Sequence, residues 1–169
     1  MVTKKGVALT VAIIAGVIAA SFLVYLIPES PRSAVVGPTE ARERLGFAMD
    51  RTQAVIDGFN ASFDAWQSGE TDKDTFDSSV AVTVDQINTL TLELRRSAVP
   101  DEWVQSYSSF IEALENYKLY VEKTKEYADF KSSQTDAATE SSYLNTISET
   151  LNTAKRLTEE SLSSMPKAS

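Results

Sequence analysis

LGFAMDRTQAVIDGFNASFDAW, residues 45–66, is the stretch that decides the fold. Leu45, Met49, Thr52, Ile56, Phe59, Phe63 and Trp66 recur at alternating steps of four and three residues. That spacing gathers them on one face of an α-helix, whereas a strand would send successive members to opposite sides. Thr39 is the expected N-cap and Ser68-Gly69 the expected stop.

Working outward, the same periodicity returns three times. A second segment opens at Thr71, with Asp72 and Asp74 in a first turn where carboxylates offset the helix dipole. Its predicted core face is Phe76, Val80, Val84, Ile87, Leu90 and Leu94, with Arg95 and Arg96 at the end that favours cations, before Pro100 breaks it. A third starts at Asp101-Glu102 and runs through Trp103, Tyr107, Phe110, Leu114, Tyr117, Val121 and Ala128. A fourth, from about Asp136 to Ser164, is marked by Ala137, Leu144, Ile147, Leu151, Ala154, Leu157 or Thr158, and Met165. No stretch alternates with period two over a strand's length. Four segments of similar length joined by short turns predict an all-α protein, an up-down-up-down antiparallel four-helix bundle over residues 39–165 with a short tail at 166–169. Thr52 and Thr83 fall on or beside the seam, where a hydroxyl can return to the preceding turn's carbonyl.

The N-terminal side of the bundle has a different character. Residues 1–6 carry Lys4 and Lys5, and Val7 to Ile27 is an uncharged apolar run interrupted only by Thr10, Ser21 and Tyr25. About 20 such residues cross a bilayer as a helix, so the run reads as a transmembrane helix. Basic residues stay on the cytoplasmic side, which places the N-terminus inside and everything from Pro28 onward outside the cell membrane, as a single-pass protein. Ala19-Ala20-Ser21 also fits a signal-peptidase site, but the apolar run continues past it to Ile27 and so favours a retained anchor. Pro28, Pro31 and Pro38 mark residues 28–38 as a Pro/Ser linker. Along the span, Ala8, Ala12, Gly16 and Ala20 form a small-residue ridge against which a second helix can pack, giving a route to self-association or to a membrane complex.

Composition removes whole classes of chemistry. The chain has no cysteine and no histidine, so it has no disulfide framework, thiolate nucleophile or imidazole base, and no His-ligated metal. Residues from Pro28 onward hold 24 acidic and 14 basic side chains, a net charge of −10 that repels nucleic acid. Asp72-Lys73-Asp74-Thr75-Phe76-Asp77 begins like a calcium loop but places Phe76 at a ligand position and Asp77 where glycine is required. Glu112 with Glu115, and Glu122 with Glu126, lie beside Lys118, Lys123 and Lys125 and read as solvated charged faces. Serines have no activating base. The expectation is therefore no enzyme, no catalytic residue, no cofactor and no metal site.

What remains is recognition. Trp103, Tyr107 and Tyr117 fit the core seam of the third helix, with Tyr120 and Tyr127 on a flanking stripe. Tyrosine hydroxyls require partners when buried and often line pockets and interfaces, so these five are the candidate ligand or partner surface. Asn60-Ala61-Ser62 is a sequon that makes Asn60 a candidate N-glycosylation site.

Lys4-Lys5, the span ending Tyr25-Leu26-Ile27-Pro28, the Ser/Pro linker and Pro100-Asp101-Glu102-Trp103 opening a tyrosine-rich helix are together similar to single-span exported helical proteins of archaea, a resemblance that brings no activity. Lys4-Lys5-Gly6 before Val7-Ala8 also resembles the cleavage signal of archaeal type IV pilin-like precursors, although Pro28 ends the helix where a pilin spine continues. The layout looks like chemoreceptor sensor ectodomains too, but no second span follows Met165. The leading expectation is a non-catalytic, membrane-anchored accessory or scaffold subunit of a cell-envelope complex. The alternatives are a small-molecule-binding or sensor-type ectodomain acting through a partner, and a pilin-like subunit.

Overall fold

The computed structural model describes residues 36–133 and 136–167. Four α-helices follow in order, α1 Pro38–Gln67, α2 Lys73–Arg95, α3 Val104–Ser133 and α4 Ala137–Ser163, with a 3-10 turn at Asp101–Trp103 leading into α3. Among the described residues there is no strand. None of these helices is long and apolar enough to cross a membrane. The apolar run 7–27, with Lys4, Lys5 and the ridge Ala8, Ala12, Gly16 and Ala20, lies outside the described residues.

Local chemistry sets the boundaries. α1 starts one residue before the expected cap: Gly37 is the N-cap and Pro38 the first helical residue. Proline's fixed φ suits that position, and its missing N–H would have had no intrahelical partner there, so Pro38 belongs to the helix and not to the linker. At the other end Gly69 adopts φ +74°, where side chains are disfavoured, and the amides of Glu70 and Thr71 return to the Ala65 carbonyl at 2.8 and 3.2 Å. Asp72 caps α2 from outside its first turn, accepting from the Thr75 amide at 2.8 Å. Asp136 does the same for α4 through Thr139 at 2.9 Å. At 23 residues α2 is shorter than the other three, and the 3-10 turn before α3 fills part of the difference.

Long-range contacts fix the directions. Arg51 pairs with Glu93 at 3.1 Å and Lys73 with Asp129 at 2.5 Å, which sets α2 antiparallel to both α1 and α3. Tyr107 meets Ala41 while Tyr120 meets Asn60, so α1 and α3 run parallel. The Ser161 hydroxyl donates to the Ser106 carbonyl at 2.6 Å and Tyr127 reaches Glu140, which turns α4 back along α3. The Val36 amide bonds the Ala98 carbonyl at 2.8 Å, and Arg42 donates to the Pro166 carbonyl. Chain entry and chain exit therefore share one end of the bundle, as the up-down-up-down reading expects.

The core is centred on α3, which buries side chains on two faces. Toward α1 and α2 it presents Tyr107, Phe110, Leu114, Tyr117 and Val121 to Leu45, Ile56, Phe59, Phe76, Ile87 and Leu90. Toward α4 it is faced with small groups, Ser106, Ser109, Ala113, Thr124 and Ala128, opposite Thr150, Ala154, Leu157 and Ser161. Small side chains let two backbones approach closely, and α3 and α4 are the most intimately packed pair. α1 and α4, the first and last helices, pack together more loosely than any sequential pair. Two expected core positions consequently fall elsewhere: Ala137 is exposed and Leu144 is 44% exposed, because α4 lies on α3 and leaves its other edge toward solvent. Thr52 is buried and returns its hydroxyl to the Ala48 carbonyl at 2.8 Å, while Thr83 is buried on the α2 seam.

Candidate functional site

All five aromatic candidates lie inside the bundle. Trp103, 1% exposed, packs at the linker end, where the Arg42 guanidinium stands 5.4 Å from its ring centroid. Arg42 thereby touches Trp103 and the Pro166 carbonyl together and ties α1, the 3-10 turn and the C-terminal segment. Tyr107 donates its hydroxyl to the Ala41 carbonyl at 3.0 Å, and burial pushes its pKa upward. Tyr117 is buried among the same apolar side chains.

The two flanking tyrosines have become core residues. Tyr120 donates to Asn60 Oδ1 at 2.7 Å, and its ring meets Phe59 edge-on at 5.6 Å. Tyr127 donates to Glu140 Oε1 at 3.0 Å and packs against Phe63 and Tyr143 at 6.1 and 6.4 Å. Burial raises the pKa of both, reinforced at Tyr120 by the charge of Asp64 and at Tyr127 by its bond to Glu140. Phe59, Phe63, Trp66 and Phe76 complete this aromatic layer in the half away from the linker. An aromatic stripe at helical spacing has here become the inside of a bundle.

Asn60 is half-buried and held by Tyr120, and Ser62 of the same sequon is 3% exposed. A sequon inside a helix, with one member bonded inward and the other buried, presents no extended segment for glycan transfer.

The charged groups form ion pairs in place of a ligand set. Lys73 lies 2.5 Å from both Asp77 and Asp129, and Lys125 lies 2.6 Å from Asp129. Burial opposes ionisation of Asp129, but bonds from Lys125 and Lys73 prevail and hold its carboxyl below the usual value. Glu115 pairs with Arg95, Glu126 with Lys123 and Glu122 with Lys118, so these three of the four spaced glutamates are counter-ions of neighbouring cations. Among the described residues no group of three or more acidic side chains is placed to hold a metal ion.

Surface recognition features lie elsewhere. A shallow groove of about 390 Å³ runs between α2 and α3, floored by Ile87 and Leu114 and rimmed by Asn88, Thr91, Leu92, Arg95, Glu115 and Lys118. None of the five aromatics lines it. Leu92, Leu162, Phe47 and Val104 are each about half exposed, and Leu144 and Leu119 somewhat less. Sequence periodicity could have found the α4 members of this set, since Leu144, Leu151, Thr158 and Leu162 lie one edge over from the small residues that face α3. Compared with known proteins, the chain matches no family model, no curated protein and no solved structure.

Proposed function

We propose that the protein is a non-catalytic, membrane-anchored helical bundle that works by contact, as an accessory or scaffold subunit of a cell-envelope assembly. One observation carries the reading: three of the four α3 tyrosines named above spend their hydroxyls on partners within the bundle, Ala41, Asn60 and Glu140, so the side chains best suited to hold a small molecule serve the packing of the fold. The absence of histidine and cysteine from the sequence supports the same reading. The apolar run 7–27 supplies the anchor, and its ridge of Ala8, Ala12, Gly16 and Ala20 supplies contacts within the bilayer. In this reading the N-terminus is cytoplasmic, the bundle stands outside, and the layout is similar to that of single-span exported helical proteins of archaea.

The test is isolation of the full chain from gently solubilised native membranes, joined to a melting scan against a panel of small molecules. The expected result is retention in carbonate-washed membranes, elution as a complex of defined stoichiometry, and a melting temperature unmoved by the panel. A protein that elutes alone and is stabilised by one compound would replace this reading with the ligand-binding one. The α2–α3 groove favours that second reading: it has an apolar floor of Ile87 and Leu114 and a polar rim that includes the paired Arg95 and Glu115.

A further inference from the structure

We infer that the outer edge of α4 is a self-association surface, on which a second copy of this chain packs its own α4 in parallel. Leu144, Ser148, Leu151, Lys155, Thr158 and Leu162 follow one another at alternating steps of four and three residues, so they share a stripe. The stripe sits beside the residues that face α3, with Leu144 and Leu162 44% and 51% exposed and Leu151 and Thr158 half-buried. The loose packing of α1 on α4 leaves Leu144 and Leu162 exposed within one bundle, while Leu151 between them is partly packed against the core.

Charge selects the occupant. Residues 53–84 and 119–149, the half of the bundle away from the linker, hold twelve acidic and four basic side chains, while the remaining described residues hold eleven and nine. A basic partner is drawn to the acidic half. A second copy of this acidic chain is repelled over most of the surface and admitted only where carboxylates are missing. Along the α4 stripe the single charged group is Lys155, so this leucine-bearing edge is one on which two copies can meet without opposing carboxylates. A lone lysine in an otherwise apolar and hydroxylic seam costs stability but fixes register and favours a defined pair.

Geometry sets the orientation, and this step rests on the anchored reading above. Val36 and Pro166 lie at the same end of the bundle, so two copies tethered in one membrane present α4 in the same direction. A two-fold axis along the membrane normal then places each residue of the stripe opposite itself. Tethering raises the effective concentration, so a seam too weak to hold free bundles together can pair anchored ones.

The chain contains no cysteine, so single substitutions report cleanly. Full-length Leu144→Cys and Leu162→Cys, each oxidised in native membranes, are expected to give a disulfide-linked dimer several-fold above Asn145→Cys and Glu149→Cys on the polar face. Adding Leu151→Glu to Leu144→Cys should return the yield to that of the controls. Co-expression of differently tagged Leu144→Cys and Leu162→Cys chains should give little mixed dimer. Equal yields at all four positions, dominant mixed dimers, or cross-links to a different protein would overturn the inference. Carbonate washing of the same membranes separates the two failures. Protein retained without cross-links refutes the pairing alone, whereas protein released by carbonate refutes the anchor, and with it the parallel arrangement. Circular dichroism of each variant confirms the helical fold, which substitutions at the exposed positions Leu144, Asn145, Glu149 and Leu162 leave intact.

Discussion

The hydroxyl of Tyr120 in α3 and the side-chain oxygen of Asn60 in α1 are 2.7 Å apart, a bond that joins the two parallel helices of the bundle across its interior. It converts a candidate ligand residue and a candidate glycosylation site into one structural pair. Tyr120→Phe removes the donor and leaves a half-buried amide oxygen without it, at a cost of about 1 kcal/mol in denaturant unfolding. Because Asn60 is held inward and Ser62 is buried, protein isolated from its own cells is expected to show the unmodified mass at the 60–62 peptide. A glycan found there would show that the first helix opens at this point.

α3 touches all three neighbours, so its buried positions should dominate stability. Phe110→Ala, at a site with no exposure, is expected to cost about 3–5 kcal/mol, the range for aromatic truncations that leave a cavity. Leu144→Ala in α4 should stay within roughly 0.5 kcal/mol of the parent in a monomeric preparation, since almost half of that side chain is already in water. Equal losses at the two positions would contradict a core centred on α3.

Two N-caps give the stability a pH dependence. Bonds from Thr75 lower the Asp72 pKa and bonds from Thr139 lower that of Asp136. A carboxyl depressed in the folded state contributes stability that is present above its unfolded value, about 3.9, and lost as pH falls through the depressed folded value. The melting temperature should therefore fall as pH drops below about 4. The double variant Asp72→Asn, Asp136→Asn keeps cap acceptors and should show a shallower acid slope with little change at pH 7. An unchanged slope would place the acid sensitivity elsewhere.

The ion-pair network between α2 and α3 can be read at a single carboxyl. Lys73 and Lys125 hold Asp129 ionised, and the partner carboxylates in turn raise the Lys73 pKa against the opposing effect of burial. Lys73→Gln should move the Asp129 carboxyl upward toward the ordinary range in an NMR titration. Exposed pairs of this kind contribute little to global stability, so the titration is the sensitive readout.

Much of the architecture was legible because large apolar residues mark helix faces. The α2 face Phe76, Val80, Ile87, Leu90 and Leu94 is buried as expected, and so is every predicted α3 position from Trp103 to Ala128. The buried face of α1 is rotated slightly from the stripe its large residues mark: Ala41, Ala48, Ser62 and Ala65 are buried, while Met49, Phe63 and Trp66 sit half-buried at its edge. Counting large side chains overlooks alanine and serine, which are buried where helices come closest. The same blindness explains α4, where periodicity points to Leu144 as core and passes over Thr150 and Ser161. Periodicity identifies a stripe but not the neighbour that covers it, so the roles of Tyr120 and Tyr127 depended on tertiary partners in α1 and α4.

That close α3–α4 seam yields the last expectation. Ala154 is fully buried among small groups, and Ser161 donates to the Ser106 carbonyl at 2.6 Å. A seam built this way has no room for a larger side chain, and its fit depends on backbone proximity more than on apolar area. Ala154→Leu should therefore destabilise the bundle by about 1–3 kcal/mol even though it adds apolar surface. Ser161→Ala should cost about 1 kcal/mol through the lost bond. In hydrogen exchange, the α4 amides of Ala154→Leu should lose protection before those of α1 and α2, because α4 is held chiefly by α3 while the other helices share the aromatic core. If Ala154→Leu stabilises the protein instead, α3 and α4 are farther apart than their small-residue contact requires, and the hub arrangement around α3 fails.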